Sequence, residues 1–354
     1  MGTLNTSPKL KVAILPGLCI VAALASLSPS VSAQVPAAPV SAAVTPSWSD
    51  YDFSYIVRVA MPSGTHNVRA WIPVPSTDQF QTVSQLEFNA PVKVHVHRGG
   101  KYGDRLAYFD LDPSSVEAPL EIRLTFHVLR YERRSDLALT ADHRGVLPDE
   151  VIAFLQPDEF APADGVIANL SREQTRGLSD PLQKARSIYE YLVSNCDLNH
   201  GDCSDFPSLF VGMARAVGIP ARIEAGFVLP EEQKQGVVAS YQSWAEFYVQ
   251  GIGWIPVDVS RSVQEPQKHD YFFGAIDAHR VMVSTGRAIA TAPAPKAGTF
   301  HSVAYPYVEM DGKSCADYTM DFFFHESGFA NLTPSKKTIF ARLRPSGGDP
   351  RFSS

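Results

Sequence analysis

Apolar and polar residues alternate along LEIRLTFHV at 120–128. Leu120, Ile122, Leu124, Phe126 and Val128 fall on one side, and Glu121, Arg123, Thr125 and His127 on the other. A period of two with one apolar face predicts a half-buried strand. VKVHVH at 92–97 alternates in the same way, and VRAWIPVP at 68–75 and LAYFDLD at 106–112 are two further strand candidates. The stretch 48–148 therefore reads as an all-β domain.

Near residue 150 the period changes. SDPLQKARSIYEYLVSN at 179–195 opens with Ser179 or Asp180 as a cap and Pro181 in the first turn. Leu182, Ala185, Ile188, Tyr189 and Leu192 then share one helical face. A second helix follows Cys203: Phe206, Leu209, Phe210, Met213, Ala214 and Val217 recur at helical spacing, and Gly218 closes it. PARIEAGFVL at 220–229 reads as a strand. SWAEFYVQGIGWIPVDV at 243–259 reads as two strands joined by a glycine-containing turn. The expected class is α+β, with a cysteine-bearing helix packed on an antiparallel sheet and an all-β domain before it. The division drawn from the sequence is a leader at 1–33, a Pro/Ala/Ser-rich linker at 34–47, the all-β domain at 48–148, the core at 150–320 and a tail at 321–354.

Composition agrees with folded domains. The chain has 354 residues, 45% hydrophobic and 19% charged, enough for roughly two domains. Its net charge is -6, and the first 33 residues hold two lysines and no acid, so their removal leaves a still more acidic protein. With no long basic run to offset phosphate repulsion, nucleic acid is an unsuitable partner. Lys9 and Lys11, the apolar VAILPGLCIVAALASL and the small residues Val31 to Ala33 form a signal-peptide pattern. The apolar run is short for a bilayer span, and Leu18 before Cys19 is too large for a lipoprotein site. The expectation is an exported protein, periplasmic or secreted, with no stable membrane span after cleavage.

Cys196, Cys203 and Cys315 remain after the leader, so at least one thiol stays unpaired within the chain. A cysteine at a helix start gains thiolate character from unpaired N–H groups and the helix dipole. Such a nucleophile also needs a base and a group to orient that base. Other readings of Cys203 stand beside this one. It can bridge to Cys196, be a buried thiol without chemistry, or join Cys196 and His200 as metal ligands, although the second ligand pair of a structural zinc site is missing. His95 and His97 share a strand face with Lys93 and read as solvated.

The motif order is recognisable. Cys203 opens a helix. Arg215, Gly218, Ile219, Pro220 and Arg222 follow, then Trp244 and Glu246, then Gly253, Trp254, Pro256 and Asp258. This succession, over roughly 180–262, resembles the transglutaminase-like superfamily with its papain-like arrangement. The resemblance implies a catalytic site made of Cys203, Gln242 and Asp258, with Gln242 standing where the family places its histidine. An amide has no useful basicity near neutral pH. The resemblance implies no metal and no organic cofactor, and a peptide or protein substrate.

Two functions follow. One is cysteine-dependent acyl transfer, as a peptidase or amidase and less readily a crosslinking transglutaminase: Cys203 attacks, Gln242 holds the thiol or polarises the oxyanion, and Asp258 orients its neighbour. The alternative is a catalytically inactive member that binds a peptide or partner. His200, His269 and His279 are the histidines that could replace the missing base. Trp244 and Trp254 read as core, and Arg222 and Arg280 as structural ion-pair partners. Gln242 and Asp258 have the same parity. They share a sheet face only if the turn between their strands holds an odd number of residues, or a bulge intervenes.

Overall fold

The computed structural model describes residues 47–99, 102–139, 146–195, 205–238, 241–286, 289–296, 298, 300 and 305–327. The leader, residues 34–46 of the linker and residues 328–354 of the tail lie outside them, as do Cys196, His200 and Cys203. Seven strands come first: β1 (Trp48–Val59), β2 (Val68–Val74), β3 (Gln81–Asn89), β4 (His95–Gly99), β5 (Asp104–Leu111), β6 (Leu120–Tyr131) and β7 (Arg133–Arg134). Four helices follow: α1 (Asp149–Ile152), α2 (Gly165–Gln174), α3 (Pro181–Asn195) and α4 (Phe206–Ala216). Then come β8 (Ala221–Val228), β9 (Gln235–Val237), β10 (Tyr241–Val249), β11 (Gly253–Val257), α5 (Val259–Gln264), β12 (Ala275–Ile276) and β13 (Arg280–Thr285). The last strands are β14 (Tyr307–Met310), β15 (Lys313–Cys315) and β16 (Tyr318–Glu326). The class is α+β with antiparallel sheets.

The alternation at 120–128 becomes β6, whose even-numbered residues are buried and odd-numbered ones half-buried until Tyr131. It pairs with β1 over twelve positions, from Trp48↔Tyr131 to Val59↔Leu120. Their sheet runs β3-β6-β1-β16-β9, and a second sheet runs β15-β14-β2-β5-β4. Apolar residues of both sheets merge in one core, with Phe53 stacked on Phe126 at 5.2 Å and Tyr55 on Phe322 at 4.0 Å. At roughly 1.5–3 kcal/mol for each large apolar side chain removed from water, this merger stabilises the β region far more than hairpin turns do. The alternation at 92–97 is realised only from His95, in an edge strand with an exposed Val96.

The expected boundary between residues 320 and 321 falls inside β16, which pairs with β1 from Val59↔Tyr318 to Tyr51↔Glu326. β14 likewise pairs with β2. The end of the chain thus completes the β region that its beginning starts. Pairing between residues more than 230 positions apart leaves no local mark in a sequence.

The core sheet runs β11-β10-β8-β13. Its odd-numbered residues Ile223, Ala245, Phe247, Ile255 and Val257 join Phe210, Val211 and Ala214 of α4, and Ile188 and Leu192 of α3, in a second core. Phe210 meets Phe247 at 5.8 Å between ring centres. Asp180, one of the two expected caps, accepts the Gln183 N–H at 2.8 Å to start α3.

Candidate functional site

Asp205 begins α4: its Oδ1 accepts the Ser208 N–H at 3.2 Å, and its Oδ2 accepts the Ser208 hydroxyl at 2.7 Å. Cys203 lies two positions earlier, outside the described residues. At the other end, Ile219 N–H donates to Ala214 and Gly218 N–H to Arg215, with Gly218 at φ 81°. This two-bond closure requires the left-handed conformation that glycine adopts without strain. Arg215 then donates from Nε to the Ala221 carbonyl and pairs with Asp158 at 2.8 Å. These contacts fix the C-terminal end of α4 at the start of β8.

The strand register answers the parity question. Val249 pairs with Gly253 and Ala245 with Val257, so the turn holds three residues, 250–252. An odd turn places Gln242, Trp244, Glu246, Trp254 and the extended Asp258 on one face. That face is opposite the one covered by α4. Gln242 sits across from Gly226 in β8. A Cβ at Gly226 would come within 1.9 Å of the Val281 carbonyl oxygen, so the close approach of β13 requires glycine there.

Asp258 is buried, and its two oxygens have different tasks. Oδ1 accepts the Arg261 N–H at 2.9 Å and caps α5, and Oδ2 accepts from Arg280 Nη1 at 2.6 Å. Arg280, with no exposed surface, also donates from Nε and Nη2 to Asp277 Oδ2 at 3.0 and 2.9 Å. Burial alone would lower the Arg280 pKa, but the two carboxylates outweigh it and raise it. Each carboxylate oxygen carries two lone pairs, so these bonds orient Asp258 without exhausting its acceptors. Among the described residues, none of its bonds comes from Gln242.

Trp244 is 1% exposed and packs with Ile276 and Met282. Its indole N–H donates to Glu224 at 2.7 Å, and Arg280 lies over its ring at 5.1 Å. Arg222 stacks on Trp254 at 4.1 Å and donates to Glu246 at 2.6 Å. Arg133 pairs with the other oxygen of the same buried glutamate. Arg222 and Arg280 thus form structural ion pairs, and Trp244 is core. Trp254 is half-buried.

Two of the three alternative histidines are described, and both are engaged. His269 has Ser262 Oγ 3.0 Å from Nδ1 and Glu190 2.9 Å from Nε2. Tyr51 Oη is 2.8 Å from His279 Nδ1. The partners that sequence reasoning missed are Asp277, Glu224 and Arg133. Asp277 is three residues before Arg280, a spacing at which ion pairs are common. Nothing local marks Arg133 as the partner of Glu246. Cys315 is a free, half-buried thiol whose pKa burial raises.

Among the described residues no helix is long and apolar enough to cross a membrane. A family model described as Transglutaminase-like superfamily matches residues 168–259. An uncharacterised protein of Haemophilus influenzae is 23% identical over 320 residues, covering 74% of this chain and 86% of that protein. A solved structure of a candidate cysteine protease from Cytophaga hutchinsonii superposes with a TM-score of 0.56 at 14% identity, over 83% of this chain and 96% of that one. The periplasmic domain of TgpA from Pseudomonas aeruginosa is 14% identical with a TM-score of 0.33, over 62% of this chain and 90% of that one. The motif order, the family match and the helix-on-sheet fold agree: over residues 168–259 the chain carries the core of the transglutaminase-like superfamily.

Proposed function

We propose that this chain is an exported transglutaminase-like protein that binds a peptide or protein segment at the end of its core sheet without completing acyl transfer. The observation that carries this reading is Gln242, an amide at the base position on the face that also carries Asp258. The amide at the family's base position cannot take a thiol's proton and return it to a leaving group. His269 and His279 have partners elsewhere. Export rests on the leader pattern at 9–33. The β region, closed by strands from both ends of the chain, is the natural source of partner contacts.

A second reading is a working cysteine peptidase or amidase. It is favoured by the fixed orientation of Asp258 on the face that also carries Gln242. The test compares hydrolysis of a fluorogenic peptide panel by the natural protein, Cys203→Ala and Gln242→His. The binding reading expects the natural protein to match Cys203→Ala, and Gln242→His to exceed both by at least ~10²-fold, the lower range for general acid–base catalysis. Turnover by the natural protein that disappears in Cys203→Ala would overturn it in favour of the second reading.

A further inference from the structure

Two large aromatic side chains stand on the solvent side of the β region. Trp48 is 61% exposed and Tyr131 41%. They are direct cross-strand partners at the ends of β1 and β6. Along β1 the inward residues Ser49, Tyr51 and Phe53 are buried, so Trp48, Asp50 and Asp52 face outward. Adjacent exposed rings of this size mark a contact surface, unlike single apolar residues scattered over a surface.

β1 is paired unequally on its two sides. Towards β6 the pairing runs to the end of the strand, and the Glu132 N–H still donates to the Ser47 carbonyl at 2.7 Å. Towards β16 it runs from Val59↔Tyr318 to Tyr51↔Glu326, and the Ser327 N–H donates to the Asp50 carbonyl at 2.8 Å. Ser327 is the last described residue, and residues 328–354 follow it. Among the described residues, no strand pairs with Trp48 on that side.

The register carries over to the next positions. With Asp50 opposite Ser327, Ser49 falls opposite Gly328 and Trp48 opposite Phe329. The outward residues of β16 are those opposite the outward residues of β1: Phe323 opposite Ser54, and His325 opposite Asp52. Position 329 has the same parity, which assigns it to the outward face beside Trp48. Gly328 asks for no room on the inner side, where Ser49 Oγ lies 3.5 Å from His279.

We propose that the exposed aromatic face is the docking surface of the chain's own C-terminal segment. The β16 pairing continues through residue 329, and Phe329 closes an aromatic row with Trp48 and Tyr131 across three strands. The tail is thereby strapped to the start of the first strand. Phenylalanine is a favoured strand residue, and cross-strand aromatic pairs stabilise a sheet. A second copy of the chain is the rival occupant of the same open edge. The tethered segment is already in register, however, and meets the edge at an effective concentration on the order of millimolar.

The test reads Trp48 in the full chain by acrylamide quenching of tryptophan emission, its share assigned by difference from Trp48→Phe. The other three tryptophans are buried or half-buried. Phe329→Ala is expected to raise the quenching of the Trp48 share at least about twofold, while Phe329→Tyr keeps it as in the natural protein. Phe340→Ala, which removes another aromatic of the tail, should leave it unchanged. In hydrogen exchange the Trp48 amide should be at least about tenfold slower in the natural protein than in Phe329→Pro, which cannot keep the strand pairing. Equal quenching in the natural protein and Phe329→Ala would overturn the proposal. So would an equal rise in Phe340→Ala, or a Trp48 amide that exchanges equally fast in Phe329→Pro. Shielding of Trp48 that appears only as protein concentration rises would also overturn it, and would assign the face to a second copy.

Discussion

Asp258 and Asp104 are both almost fully buried, and both use Oδ1 to accept a backbone N–H. They differ in what meets Oδ2. Asp258 has the Arg280 guanidinium at 2.6 Å; Asp104 has nothing among the described residues. Burial by itself therefore says little about a carboxylate. The first is a framework charge that holds α5, β11 and β13 together. The second is a buried carboxyl whose environment favours the neutral form. They sit at opposite ends of β13: Arg280, at its start, meets Asp258, and Thr285, at its end, meets Asp104.

The largest effect that could break this contrast comes from Arg280→Met. It leaves Asp258 and Asp277 facing buried space without their cation, and should cost about 3–5 kcal/mol. Urea unfolding should show it as a lower midpoint. A loss below ~1 kcal/mol would mean that water or another cation already serves Asp258.

Asp104→Asn should act in the opposite direction. Its carboxyl is raised from 3.8 to about 7 in the folded chain, so the folded state holds the proton more tightly than the unfolded one. The stability this provides is fully present below about pH 4 and is lost as pH rises through 7. Asparagine cannot ionise, so the variant should exceed the natural protein by up to about 4 kcal/mol at pH 8. The difference should shrink as pH falls and approach zero only below about pH 4. A pH-independent difference would remove the electrostatic account.

A smaller change sharpens the comparison. Asp277→Asn leaves Arg280 bonded to Asp258 and keeps an acceptor for its Nε, so the cost should be about 1–2 kcal/mol. Together with Arg280→Met it forms a double-mutant cycle. If the two losses simply add, Arg280 and Asp277 are not coupled as their geometry implies.

Much of the architecture was legible in the residues. The alternation at 120–128, the cap at Asp180, the apolar face of α3 and the closing Gly218 each act within a few positions, where pattern and propensity operate. The strand–turn–strand motif at 243–259 was legible too, and with it the shared parity of Gln242 and Asp258. The reading of Gln242 as an amide at the family's base position likewise comes from residue identity alone.

Other features depended on packing. The three-residue turn that brings Gln242 and Asp258 to one face is a choice of register. The return of β14 and β16 to the first sheets joins residues more than 230 positions apart. Whether a carboxylate meets a cation is decided by which elements are brought together in space. By itself, the chain's order of residues determined its local elements and its family motif. Only the tertiary structure gave Asp258 an arginine and left Asp104 without one, because Coulomb forces and desolvation act over ångströms in space and take no account of separation along the chain.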